Sequence, residues 1–513
     1  MRHREYNINT SNALRNALLV TLCAAWATIC FILPDFCDAP VDGWKSVAIL
    51  GVYLAAFGLF QLLIIYLLSI NKTVFAVTLP IYALVGSALA YYRVAFSSTP
   101  TPMLVESVLN TNASEAHDVI SWQAIAYVAI NLTIAALFVN ERRKTENPRR
   151  QWIHYIVAIL LIFTYYNFNS RLSFSLRQRY PANIIHACTE YAHIRQMQKN
   201  TILQDPVISE QTTHDSLTVV LVVGEAMRAD HLQLNGYPRP TTPRLAARRN
   251  VVSLPHIYSE HTHTAASLPH IITPADSLHN EYAYSYHSCV SVFRRCGYQT
   301  AWISNQDMGR TYSNFIHEAD TYHFPNADKS VFVFSDWYDE QLLPIFDSLR
   351  LSDNHKQFFL LHTIGSHWYY NIHVPERFQV FQPVTNNRVV TTNTDEQIIN
   401  SYDNTALYMD FVVDTLIARL TADNALVIYL SDHGESLGEN GNYLHAAGAE
   451  ETKYPACIIW YSDKYQKLYP HKVEALHQNA KKLYRTDFLF YSILSAAGIE
   501  AQGNNANFDI FLE

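Results

Sequence analysis

The sequence predicts a multi-pass α-helical membrane domain joined to an exported α/β domain, a mainly parallel sheet sandwiched by helices. Three observations predict it. Charge is segregated: charged residues are 16% and hydrophobic residues 49% of the 513-residue chain, against roughly 25% charged in an ordinary soluble protein, and residues 1–170 hold few of the charges. Five long uncharged runs fill that segment. From about residue 215 short apolar runs alternate with helical ones. Such a length accommodates two or three units, and the composition excludes a disordered chain, a coiled coil and a single soluble globule. A net charge of −8, from 37 basic and 45 acidic residues, argues against nucleic acid as a partner. Seven scattered cysteines are too few for a disulfide-built fold.

The uncharged runs are 16–34, 46–71, 73–92, 119–140 and 151–170, each 19–26 residues long. About 20 helical residues cross a ~30 Å hydrocarbon core, so five membrane helices are expected over a domain of residues 1–170. Four further runs behind the first argue against a cleaved signal peptide. Orientation follows the basic residues. Arg2, Arg4 and Arg15 at the N-terminus and Arg142, Arg143, Lys144, Arg149 and Arg150 before the fifth run belong on one side, the cytoplasmic one. Everything after about residue 171 is then exported. Residues 171–214 read as a bridging linker: Ile184, Ile185, Cys188, Tyr191 and Ile194 recur at helical spacing, which fits an amphipathic surface helix and an ordinary connecting helix equally well.

The exported domain, residues 215–513, offers strand candidates at 217–223, 299–304, 357–363, 425–431 and 456–462 and helix candidates at 285–297, 399–422 and 485–498. Continuous apolar strands separated by helices imply a mainly parallel sheet covered on both faces. Reactive residues cluster beyond the strand ends of such sheets. Glu225 follows the first strand, His362 and His367 sit at or after the third, and Asp432 and His433 follow the fourth. Carboxylates and an imidazole are zinc-ligand chemistry. Three such ligands leave a fourth position for an oxygen nucleophile. Thr264, in the segment SEHTHTAASLPH, is first read as a helix cap and second as a nucleophile at a helix start, where backbone N–H groups attract phosphate. His445 is a further candidate ligand.

Four segments then carry a resemblance: GEAMRADHLQLNGYPRPTTP (224–243), SEHTHTAASLP (259–269), LHTIGSH (361–367) and SDHGESLGENGNYLH (431–445). They are similar to the phosphoethanolamine transferases, a family that includes lipid A-modifying enzymes linked to polymyxin resistance and belongs to the alkaline phosphatase and sulfatase superfamily. The resemblance implies a sulfatase/alkaline-phosphatase-like exported domain behind five helices, in a bacterial inner membrane with a cytoplasmic N-terminus and a periplasmic catalytic domain. It implies that Glu225, Thr264, Asp432 and His433 hold a zinc ion, that Thr264 is the nucleophile, and that His367 and His445 hold a second zinc or the transferred phosphate. By the same resemblance Asn110, Thr111 and Glu115 contact the ethanolamine or lipid head group, and Arg310 contacts substrate. It implies phosphatidylethanolamine as donor and lipid A, lipopolysaccharide or another surface glycan as acceptor, through a phosphoethanolamine-threonine intermediate. Where many members place disulfide cysteines around the Thr motif, this chain has Glu260 and His270. Cys289 and Cys296, about 10 Å apart along a helix axis, are beyond disulfide reach. Three other functions compete with this one. A lipoteichoic-acid-synthase-like enzyme would transfer glycerol phosphate; the GESLGENGNYLH stretch argues for phosphoethanolamine instead. A non-catalytic membrane-anchored binding protein would have lost a ligand or the nucleophile, and all four residues are present. A sulfatase would need a Cys-x-Pro-x-Arg segment, which the sequence lacks.

Overall fold

Runs of Leu, Ile, Val and Ala with no charge to hydrate satisfy their backbone only as helices in lipid. The computed structural model describes residues 2–512 apart from 38, 40–42, 97–98, 111–121, 201–202, 212–215, 280–282, 307–312, 328–335, 352–354, 388–389, 446–448 and 506. The chain divides into two compact units, Met1–His193 and Ile194–Ala327 with Asp336–Glu513.

In the first unit, helix Arg2–Ala27 continues through a π turn, Thr28–Ile32, and a 3-10 turn, Leu33–Phe36. Pro34 follows the point where the α geometry is lost, as expected of a residue with no N–H to give. Four helical stretches are long and apolar enough to cross a membrane: Asn12–Phe36, Trp44–Ser69, Lys72–Ala95 and Trp122–Arg143. The fifth expected helix is bent rather than straight. Gln151–Asn167 meets Ser170–Arg177 at 107°, so the count is five only if that pair forms one span. The break has a local cause: the Asn169 side chain accepts from Arg171 N–H and starts a new helix as its N-cap. Several buried polar groups inside the bundle are paired, as lipid favours. Trp26 Nε1 donates to Asn131 Oδ1 at 3.1 Å. Gln61 Nε2 donates to the Tyr180 carbonyl at 2.7 Å, which fastens the segment after the bent pair to the second helix.

The second unit is built on a seven-stranded sheet. In chain order its strands are β1 (Leu217–Gly224), β2 (Val251–Ser253), β3 (Gln299–Ser304), β4 (Thr321–His323), β5 (Lys356–His362), β6 (Ala425–Ser431) and β7 (Cys457–Tyr461). In space the order is β2-β7-β6-β1-β5-β3-β4. All pairings are parallel except those of β7, which runs against both its neighbours. Every residue of β1 and β6 is buried, which is why both read as unbroken apolar runs rather than alternating ones. Helix Asp395–Ala418, opened by a Thr394–Gln397 capping box, and helix Leu342–Arg350 bury Tyr402, Val413, Leu416 and Phe346 in the same core as Val220, Phe359 and Val427. Gly224 pairs with Ser431 across β1 and β6, so Glu225 and Asp432 leave adjacent strands at the same end.

Gly224 is required by its neighbour: a Cβ there would overlap the Tyr429 hydroxyl on β6. Gly224→Ala should destabilise the protein by about 1–3 kcal/mol, the usual cost of overpacking. In a Tyr429→Leu background, which removes the ring as well as its hydroxyl, Gly224→Ala should cost much less, read as the thermal midpoint in detergent. Equal losses in the two backgrounds would place the cost elsewhere.

Candidate metal centre

Glu225 is the first residue beyond β1, and the chain turns sharply behind it. Ala226 holds a left-handed φ of +56°, uncommon for a residue with a side chain. It is pinned from both sides: its N–H donates to Asp432 Oδ1 at 3.1 Å and its carbonyl accepts from the Tyr402 hydroxyl at 2.6 Å. Asp432 Oδ1 also accepts from His433 N–H at 2.8 Å. The His433 Nδ1–H donates to the Gly434 carbonyl at 2.8 Å, which turns Nε2 toward the carboxylates. That nitrogen lies 3.3 Å from Glu225 Oε1 and 3.4 Å from Asp432 Oδ2. Thr264 starts helix Thr264–Ile272, and its hydroxyl donates to Glu225 Oε2 at 2.8 Å. The positive end of that helix therefore sits at the Thr264 oxygen.

Glu225 is 2% exposed, and Asp432 and His433 are 0% exposed. Yet neither Asp432 Oδ2 nor His433 Nε2 completes a hydrogen bond. Burying charge without partners is costly, and a divalent cation removes that cost. The spacing agrees: ligand atoms about 2.0–2.1 Å from a tetrahedral zinc-sized ion lie about 3.3–3.4 Å from one another. Glu225, His433 and His445 each offer a ligand atom within 4.8 Å of the others. The residues present fit a divalent metal.

The charges respond as such a group should. Burial and the Glu225 charge push Asp432 up to about 6. Burial opposes the His433 proton, but Asp432 and Glu225 outweigh it and raise His433 to about 10. Burial likewise opposes the Glu225 charge, and His433, His367 and His445 nevertheless hold its carboxyl well below the usual range. An imidazolium between carboxylates is the cation-free balance, and a metal ion takes the proton's place.

Of the residues expected from sequence, Glu225, Thr264, Asp432, His433 and His445 converge. His445 shares the cation group rather than standing apart from it. Its Nδ1 lies 3.2 Å from Glu435 Oε1 and its ring centroid 4.6 Å from that of His433. His367 is within electrostatic reach of Glu225 and directs Nδ1–H to the Trp368 carbonyl at 2.6 Å. His362 is buried at the end of β5, edge-on to Trp302, and burial pushes it down to about 4. Thr111, Glu115 and Arg310 lie outside the described residues. Asn110 ends helix Pro102–Asn110, but its side chain is not among those described.

Three neighbours were not anticipated. Gln306 Nε2 donates to Glu225 Oε2 at 2.9 Å and to the Thr363 carbonyl at 3.0 Å; only folding brings it there. Glu435, buried beside Asp432 and His433, orients His445 and lay in plain view of the DHG triplet. His263, whose pKa is lowered by burial and by His433 and His445, precedes Thr264 directly. Arg228, from the 224–243 motif, donates to both Asp230 oxygens at 2.9 and 2.7 Å and to the Glu435 carbonyl at 3.1 Å, tying that motif to the 432–435 turn.

Comparison with known proteins shows which families the chain resembles. A family model described as Sulfatase matches residues 217–499, and one described as Phosphoethanolamine transferase EptA/EptB matches residues 56–192. Phosphoethanolamine transferase EptA of Escherichia coli (strain K12) is 29% identical over 470 residues, covering 84% of each chain. The solved soluble domain of lipooligosaccharide phosphoethanolamine transferase A from Neisseria meningitidis is 30% identical, with a TM-score of 0.54, over 61% of this chain and 98% of that one. The structure of the integral membrane protein EptA from Neisseria meningitidis covers 96% of this chain and 98% of that one at 23% identity and a TM-score of 0.54, and so extends the likeness of fold to the helical half.

Because His433 is held protonated to about 10 in the cation-free balance, metal uptake must expel that proton. Apparent affinity for a divalent metal should therefore rise with pH between 7 and 9, by up to about tenfold per unit. Calorimetric titration in two buffers of different ionisation enthalpy should show about one proton released. A pH-independent affinity would contradict the assignment.

Proposed function

Because this chain belongs to the phosphoethanolamine transferases of the sulfatase and alkaline phosphatase superfamily, we propose that Thr264 carries phosphoethanolamine from phosphatidylethanolamine to lipid A or another lipopolysaccharide or surface-glycan acceptor. The observation that carries the reading is the Thr264 hydroxyl, 2.8 Å from Glu225 Oε2 at a helix N-terminus. Glu225, Thr264, Asp432 and His433 would hold a zinc ion, with His445 in the same group. When bound, zinc supplies Lewis acidity, favouring the alkoxide of an otherwise weakly acidic hydroxyl and withdrawing charge from a phosphoryl group.

The chain's own residues do the rest. Thr264 Oγ1 attacks the phosphorus of the donor, the bond to the diacylglycerol oxygen breaks, and diacylglycerol leaves with a proton. Glu225 Oε2, already accepting a hydrogen bond from that hydroxyl, orients it for attack. Helix N–H groups meet the non-bridging phosphoryl oxygens. His367 and His445 balance charge on those oxygens. An acceptor phosphate or hydroxyl oxygen then attacks the phosphoethanolamine-threonine, the bond to Thr264 Oγ1 breaks, and Oγ1 takes up the proton given up by a hydroxyl acceptor or, for a phosphate acceptor, one from water. Membrane helices tether the domain where both substrates are lipids. The N-terminus lies in the cytoplasm, the catalytic domain in the periplasm of a bacterial inner membrane, and residues 171–214 bridge the two.

Intact-mass measurement after incubation with phosphatidylethanolamine should show one added phosphoethanolamine on the wild-type chain. Thr264→Ala should show none and lose transfer by on the order of 10³-fold or more, while retaining metal. An adduct mapped to another residue, or a glycerol-phosphate adduct, would overturn the reading. Glu225→Ala and Asp432→Ala should lose zinc together with activity, measured by elemental mass spectrometry; full zinc occupancy in both would falsify the ligand set.

A further inference from the structure

Beside Thr264 lies a pair of histidines that the transfer chemistry does not use. His270 belongs to helix Thr264–Ile272 and His261 to the loop before it. Their rings stack, with centroids 4.9 Å apart and planes inclined by 21°, so the pair ties the loop to the helix that Thr264 begins. The same loop is held through its backbone. The His261 carbonyl accepts from the Ser259 and Ser267 hydroxyls at 2.6 and 3.3 Å, and Ser259 Oγ also reaches the Asp432 carbonyl at 3.2 Å. Three residues beyond His261, the Thr264 hydroxyl meets Glu225.

The pair has little room for charge. His270 is fully buried, and its Nδ1 donates to the Ala275 carbonyl at 3.2 Å. His261 is half-buried, but its Nε2 is sealed from water and has no hydrogen-bond partner among the described residues. A neutral imidazole leaves that nitrogen bare as an acceptor. An imidazolium would bury an N–H with nothing to receive it, face to face with a second imidazole. Burial and the His270 and His263 rings push His261 down to about 4, against Glu260 and a backbone bond to Ser277, which favour the proton. Behind the pair, Asp487 acts on His270, and its Oδ2 accepts from the Ser277 N–H and hydroxyl at 3.0 and 2.9 Å. Arg485 lies 4.0 Å from Glu260 and acts on Asp276. Glu260 and Asp487 are thus each drawn to another partner.

We propose that the His261–His270 stack is an acid-released latch on the loop that presents Thr264. His261 Nε2 takes a proton from solvent, its ring leaves the stack, residues 259–263 are freed, and the Thr264 hydroxyl is withdrawn from Glu225. The consequence for transfer rests on Thr264 being the nucleophile; the latch itself does not. The sign follows from the two states. In the freed loop His261 regains its ordinary value near 6.5, so the latched form is favoured in full above that pH. The ratio of freed to latched loop rises, by up to about tenfold per unit, as pH falls from about 6.5 toward 4.

The test is amide hydrogen exchange, read by mass spectrometry on the full-length protein in detergent and corrected for the intrinsic effect of pH. The bonded amides of Ser259, Ala266 and Ser267 report opening of the segment. Between about pH 7 and pH 5 their opening should rise about twentyfold, the effect of one proton taken up by a group that moves between those two values. His261→Phe keeps an aromatic ring in the stack and His261→Asn keeps a polar side chain; neither titrates, and in both the rise should shrink to less than about threefold. Protonation of the metal ligands acts on parent and variants alike and cancels in the comparison. The latch is refuted if opening in the parent does not change with pH, or if either variant keeps the parent's rise. Exchange is read without donor lipid, so failure of the transfer reading leaves this result standing.

Discussion

Two carboxylates, each within 3.4 Å of one imidazole and sealed from water, are the constraint around which the second unit is arranged. Sheet register creates it: Gly224 and Ser431 are paired, so the next residue on each strand must emerge beside the other. The left-handed turn at Ala226, the bond from Tyr402 and the Gln306 amide all serve to keep the Glu225 carboxylate where its charge is least tolerable. Such an arrangement is stable only with a positive charge at its centre, a proton or a metal. The same requirement explains the position of Thr264. An oxygen that reaches Glu225 also reaches whatever neutralises it, so in the proposed reaction the group that balances the buried charge would also activate the hydroxyl.

What could be read in the sequence was whatever depends on one strand or one helix. β1 and β6 announced themselves as apolar runs because both their faces are covered, and Glu225 and Asp432 because they follow such runs. Convergence across loops was less legible. His445 is thirteen residues beyond Asp432, and it returns to the centre through a chain path with left-handed backbone at Gly438, Asn440, Gly441 and Leu444; no spacing rule encodes that route. Gln306 carries no signal at all, since its amide matters only once β3 lies beside β5 and β5 beside β1. The fifth uncharged run illustrates the opposite error. Absence of charge reports how much chain lipid can accept, not where the helix stops: it ends at Asn167, and Asn169 caps the next helix, which leaves at 107°.

Both units meet the same problem of unpaired polar groups, in solvents of different character. In the second unit the proposed remedy is a cation among ligands. In the helical unit most buried polar groups are matched within the protein, Arg142 with five acceptor atoms being the extreme case.

The loop before Thr264 shows how position can be held without a covalent tie. All seven cysteines are free, and His270 stands where the family resemblance puts a cysteine. It is fully buried, stacks on His261 with ring centroids 4.9 Å apart and donates to the Ala275 carbonyl at 3.2 Å. Ser259 and Ser267 both donate to the His261 carbonyl, at 2.6 and 3.3 Å, and the Tyr284 hydroxyl donates to that of Ala265 at 2.6 Å. A disulfide typically adds about 2–4 kcal/mol, largely by restricting the unfolded chain. Four hydrogen bonds at about 0.5–1.5 kcal/mol each reach a similar total, but they act on the folded state and are directional. They therefore fix the approach of the Thr264 hydroxyl to Glu225 as firmly as a crosslink would, and they do so whether the surroundings are oxidising or not.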